Sequence, residues 1–174
     1  MTDSNRGRLR ILHASDLHLD LPGDKTSHCL EALLDLTIKN EVDLVIIAGD
    51  LFDHNKVADD LISFTVEQLG RLSVPTVILP GNHDWQVLKS TFERTQPWEN
   101  CTNVRILGTP QGETLDLPEL GVSLWGKSMD FDDGSVRPLA GIPRPQRNGH
   151  WHIAVAHGYY VSSKLPLFPS YHIT

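Results

Sequence analysis

A chain of 174 residues that is 40% hydrophobic and 21% charged is long enough to bury one sizeable core. Its formal net charge of −7 excludes a surface coated in basic residues for nucleic acid, but leaves room for a local site in which bound cations reverse the field. No apolar run approaches the roughly 18 residues that cross a bilayer, and the opening MTDSNRGRLR lacks a secretory h-region. One single soluble, cytoplasmic domain over residues 1–174 is therefore expected, with no membrane partner. Cys29 and Cys101 have no metal-type spacing and are expected as isolated thiols.

In chain order, three apolar runs each end in polar residues: LRILHASDLH (9–18), DLVIIAGDLFD (43–53) and PTVILPGNHD (75–84). Each reads as a buried strand feeding a functional loop. Between them, 26–40 and 57–71 have apolar residues at helical spacing, with Leu30, Leu33, Leu34 and Ile38 on one face of the first. The resulting βαβαβ start brings three strand ends to one sheet edge, where ligands bind in open α/β folds. After Trp85 the segments shorten to VRILG (104–108), VSLWGKS (122–128) and HIAVAHG (152–158), strands of a second sheet or of the far side of the first. Stretches such as PQGETLDLPELG between them read as turns.

The strand ends supply Asp16 and His18, then Asp50 and Asp53, then Asn82, His83 and Asp84. Carboxylate, imidazole and amide oxygen form a borderline-hard ligand set suited to Mn²⁺, Fe or Zn²⁺. Polar turns need Gly, Asn and Asp, but they do not need His at two of three strand ends, so a metal site is expected. The ordered set SDLH, GDLFD, GNHD and the later His157-Gly158 resembles the calcineurin-like metallophosphoesterases. That resemblance implies an α/β fold with a two-sheet β-sandwich core flanked by helices in four layers, α/β/β/α, and two divalent metal ions. Mn²⁺ is the first expectation, with Fe, Zn²⁺ or Co²⁺ as alternatives. On matching positions, Asp16 and His18 would hold the first metal, Asp50 would bridge both, and Asn82 and His157 would hold the second. His83 would be the catalytic histidine and Asp84 its orienting partner. Paired cations of this kind activate water and clamp phosphoryl oxygens during in-line displacement.

Asp53 reads as a helix cap or a hydrogen-bonding loop residue rather than a ligand, and His13 as a packed strand histidine. The family closes its site with a Gly-His-x-His turn after the position of His157. GHWH at 149–152 has the right letters but precedes a strand that His157 ends. At about 3.3 Å per residue, His152 would lie roughly 16 Å and His150 about 23 Å from His157. The fold is therefore expected to lack its C-terminal part here, with the closing turn beyond Thr174, or else to belong to a degenerate member.

Within the family, HASDLHLD and GDLFDHNKV look most like the DNA-repair exonuclease branch. That would make the chain a phosphodiesterase or nuclease acting on DNA, beside a coiled-coil ATPase subunit. The alternatives are a small-molecule phosphatase or phosphodiesterase and a catalytically impaired scaffold.

Overall fold

In the computed structural model, which describes residues 8–85, 89–129, 137–146, 149–160 and 172–173, the three apolar runs are parallel strands. These are β1 (Ile11–Ala14), β2 (Leu44–Ala48) and β3 (Thr76–Leu79); β4 (Val104–Ile106) completes a sheet of order β1-β2-β3-β4. The helices α1 (Lys25–Lys39) and α2 (Asp59–Leu69) make the crossovers, and a short α3 (Thr95–Glu99) precedes β4. Asp24 starts α1 by accepting the Ser27 amide at 2.8 Å.

The central strand β2 is buried along its whole length, so both of its faces meet apolar partners. Val45 and Ile47 join Leu30 and Leu34 of α1 and Leu61 and Ile62 of α2 in one core. Leu44, Ile46 and Ala48 turn the other way, joining Val77 and Leu79 with Leu117, Val122, Leu124 and Val155 of a second sheet. This second sheet has the order β5-β6-β7, with β5 (Glu113–Leu117) antiparallel and β7 (Trp151–Val155) parallel to β6 (Val122–Gly126). The period-2 alternation of β2 thus divides the molecule into a helical layer and two sheets, an α/β sandwich. A 3-10 turn at Pro118–Leu120 joins β5 to β6. A two-stranded pair, β8 (Tyr159–Tyr160) with β9 (His172–Ile173), lies beyond β7.

Two local expectations change. The buried stripe of α1 is Ser27, Leu30, Leu34 and Thr37, whereas Ile38 is 53% exposed. The 3-4-3 spacing lands on Thr37, whose hydroxyl is satisfied by the Leu33 carbonyl at 2.9 Å, so a polar residue occupies the buried position. The stretch read as turns around residue 115 contains β5, an edge strand whose alternating exposure reflects one solvated face. The segment 104–106 belongs to the first sheet, while 122–126 and 151–155 build the second. Cys29 is exposed and Cys101 buried, and both are free thiols.

Candidate metal centre

The parallel order brings the loops after β1, β2 and β3 to one edge, and backbone hydrogen bonds then lace the first two together. Asp16 N donates to Gly49 O at 3.1 Å, His18 N to Asp50 O at 3.0 Å, Leu19 N to Leu51 O at 2.9 Å, and Asp53 N back to Leu19 O at 3.0 Å. This lacing holds three non-glycine residues in the left-handed region: Asp16 (φ 56°), His18 (φ 49°) and Asp50 (φ 53°). Each costs of order 1 kcal/mol or more, and persists only where the surroundings over-determine it, as at functional sites. Behind the loop, Phe52, Phe92 and Trp98 pack ring against ring at 5.5–6.4 Å. The Phe52 side chain is fully buried, so the loop has a rigid base.

A cavity of about 350 Å³ opens over these loops. Asp16, His18, Asp50, Asn82, His83 and His157 all line it, joined by His13 and Tyr159. Ligand atoms of Asp16, His18 and Asp50 lie within 4.8 Å of one another, the grouping a cation needs. His157 Nε2 is 3.3 Å from Asp50 Oδ2 and 3.0 Å from Asn82 Oδ1. His157 Nδ1 is 2.9 Å from the Ala48 carbonyl, to which it donates, so a neutral ring turns its Nε2 lone pair toward two oxygens. Three lone pairs facing one another require a proton or a cation between them, and their spacing is that of ligands on one ion. The donor set around Asp50 therefore fits a divalent cation.

The charges respond accordingly. With no cation bound, burial pushes the Asp50 carboxyl up, but a hydrogen bond from the protonated His157 ring, the His83 amide and the charges of the His157 and His83 imidazoles hold it below the usual carboxylate range. Burial pulls His157 down, and Asp50 and the Ala48 carbonyl more than offset it, leaving the imidazole raised. Glycine is required twice. At Gly49 (φ 91°) a Cβ would run into the His157 ring, and at Gly81 it would sit 2.6 Å from the Asp50 amide nitrogen.

The third loop is tied to the second through Asp50 and Asp84. Asp50 Oδ1 accepts the His83 amide at 2.9 Å. Asp84, with 0% exposure, accepts the Gly81 amide on Oδ1 at 2.7 Å and the Phe52 amide on Oδ2 at 3.0 Å. The expected pairing of Asp84 with the His83 ring gives way to another arrangement: His83 Nδ1 donates to the main-chain oxygen of Asp53 at 2.8 Å. Both Asp84 oxygens are used to bind loop to loop, which turns its carboxylate away from the imidazole. Burial raises its carboxyl to about 6, against the amide hydrogen bonds that lower it and with a contribution from the Asp50 charge.

Asp53 does not cap α2, whose N-cap is Ala58 with no side-chain hydrogen bond; its carboxylate lies 3.1 Å from His18 Nδ1. His13 is exposed on β1 and lines the cavity rather than packing in the core. Its position three residues before Asp16, on the strand whose end builds the site, was the available signal, and Tyr159 likewise follows His157 closely. The GHWH residues lie elsewhere. With Trp151–Val155 extended, His150 and His157 stand beyond opposite ends of β7. His150 Nδ1 is 3.5 Å from Ser123 Oγ, and His152 lines a separate cavity with Asp116, Ser123 and Arg144.

A two-sheet α/β sandwich that gathers carboxylates, imidazoles and an amide oxygen at the ends of parallel strands is a scaffold suited to holding a metal ion. The profile of the calcineurin-like phosphoesterase family matches residues 9–169, and the chain belongs to that family. It is thus a metal-dependent phosphoesterase, a phosphoric ester hydrolase. Among the described residues, no helix is long and apolar enough to cross a membrane.

Proposed function

We propose that this chain hydrolyses phosphodiester bonds with two divalent cations, in the manner of a DNA-repair exonuclease. The observation that carries the reading is the position of Asp50, whose Oδ2 lies 3.3 Å from His157 Nε2 and 3.9 Å from His18 Nε2. A single carboxylate oxygen approached by two imidazoles is suited to bridge two ions. Asp16 and His18 would hold the first, Asn82 and His157 the second, and Asp50 both. When bound, the cations would polarise phosphoryl oxygens and lower the pKa of a water nucleophile.

The chain's own residues supply the remainder. His83 lines the cavity, and its Nδ1–H is tied to the Asp53 carbonyl, so it is as an imidazolium, with a second proton on Nε2, that the ring would donate to the leaving oxygen. Asp84 acts one step back, fixing the loop that carries Asn82 and His83 by accepting the Gly81 and Phe52 amides. The net charge of −7 makes affinity for a polyanion depend on the cations and on a partner subunit; a coiled-coil ATPase in the cytoplasm, with Mn²⁺ as the metal, completes the reading.

The test is hydrolysis of bis-p-nitrophenyl phosphate with Mn²⁺, Fe²⁺, Co²⁺ or Zn²⁺, followed by labelled single- and double-stranded DNA. Turnover of the diester and degradation of DNA support the reading. Turnover of monoesters or nucleotides alone redirects it to a small-molecule phosphoesterase, and no turnover with any cation redirects it to a scaffold.

A further inference from the structure

The His18 ring stands between two carboxylates. Its Nε2 faces Asp50 Oδ2 at 3.9 Å, and its Nδ1 lies 3.1 Å from Asp53 Oδ1. The shorter contact is not a hydrogen bond, because His18 Nδ1 is buried and has no hydrogen-bond partner among the described residues. A close N to O approach without an aligned N–H is the relation between two ligands of one ion. A tetrahedral cation with bonds of about 2.0–2.1 Å spaces its donors about 3.3 Å apart. His83 completes the group, since ligand atoms of His18, Asp53 and His83 all lie within 4.8 Å of one another. The two rings meet edge to face at 85°, with centroids 4.7 Å apart. Asp53 and His83 are exposed, so an ion can enter from solvent.

We propose that His18 Nδ1, Asp53 and His83 form an accessory site for a borderline cation such as Zn²⁺, in competition with the metal pair that shares Asp50. Two imidazoles and one carboxylate, with a fourth position open to water, are a zinc-type donor set. Competition follows from the electron count. A neutral imidazole has one lone pair, on one nitrogen, so His18 serves either the ion beside Asp50 or the ion beside Asp53. A cation at Asp53 therefore withdraws His18 from Asp16 and Asp50 and also engages His83, the group proposed to act on the leaving oxygen. Excess Zn²⁺ is accordingly an inhibitor, and Asp53 is the residue that admits it. The inhibitory consequence rests on the proposed roles of His18 and His83, whereas the binding site itself does not.

The test separates the two. Metal-stripped Asp50→Asn protein, which lacks the shared carboxylate, is titrated with Zn²⁺ by calorimetry, and with Co²⁺ for the visible band of a tetrahedral ion. It should bind about one equivalent, at least ~10-fold more weakly once Asp53→Ala is added, since losing a direct ligand costs no less than losing the partner of one. No binding by folded Asp50→Asn protein, or binding indifferent to Asp53→Ala, overturns the proposal. If Asp50→Asn fails to fold, wild type supplies the second measurement. Zn²⁺ added over Mn²⁺ should inhibit diester turnover, and half-inhibition in Asp53→Ala, relative to its own uninhibited rate, should need at least ~10-fold more Zn²⁺. No inhibition, or an unshifted midpoint, overturns it. Absence of turnover in wild type counts against the phosphoesterase reading alone, and the calorimetric titration then decides the site.

Discussion

Replacing Asp84 by Asn in the metal-stripped protein should change the pH dependence of stability, with a sign that distinguishes a buried loop tether from an exposed ion-pair partner. Asp84 is fully buried and its carboxyl is raised from 3.8 to about 6, chiefly by burial. A folded-state pKa above the unfolded value means that the protonated form is the better tolerated. Its stabilising contribution is present in full below pH 3.8 and is lost as pH rises through about 6. The shift is about two units, worth about 3 kcal/mol over the full range, of which about 2 to 3 kcal/mol falls between pH 4 and 7. Asn does not titrate, so the stability of wild type relative to Asp84→Asn should decline by that amount across the interval. For a domain of this size 1 kcal/mol moves Tm by roughly 2–4 °C, so the difference in Tm should change by about 5–10 °C. Thermal melts of both proteins in EDTA, followed by circular dichroism from pH 4 to 7, measure it. A difference in Tm that is flat with pH, or that grows in favour of wild type as pH rises, would refute the reasoning.

Asp84→Ala goes further, leaving the Gly81 and Phe52 amides without their acceptor. At about 1–3 kcal/mol for each buried unsatisfied group, denaturant titration should show a loss of several kcal/mol. Gly49→Ala should displace the His157 ring, which a Cβ would overlap; plasma mass spectrometry should find about one Mn²⁺ fewer in the folded protein, and full occupancy would contradict the packing argument. His83→Ala should cost about 10²–10⁴-fold in kcat, the range for a general acid, while Mn²⁺ stoichiometry by calorimetry stays unchanged. His152→Ala, at the other end of β7 from His157, should leave metal content unaltered and shift stability by no more than about 0.5 kcal/mol.

Short apolar runs ending in polar residues were enough to find β1, β2 and β3, and helical spacing was enough to find α1 and α2. The short edge strand β5 escaped, since two of its five residues are exposed and its flanks read as turns. Local sequence carried the motif residues because the chemistry restricts their type: few structures other than a metal site place Asp, His and Asn at consecutive strand ends. It also separated GHWH from His157, for an extended strand has two ends whatever surrounds it.

What those residues touch depended on the tertiary structure. The sequence put Asp84 beside His83 and suggested that it orients the ring; folding turned it inward to the Gly81 and Phe52 amides and gave His83 the Asp53 carbonyl instead. The left-handed backbone at Asp16, His18 and Asp50 comes from hydrogen bonds between loops more than 30 residues apart in sequence, such as Asp16 to Gly49. His157 meets Asp50 and Asn82 only because the second sheet packs on the first through Leu44, Val77, Leu124 and Val155. Residue type and the first βαβαβ elements are written locally, as chemical requirement and hydrophobic pattern, and so the sequence by itself determined them. Partners, tautomers and shared ligands arise where distant segments exclude water from the same space, and only the tertiary structure decided those.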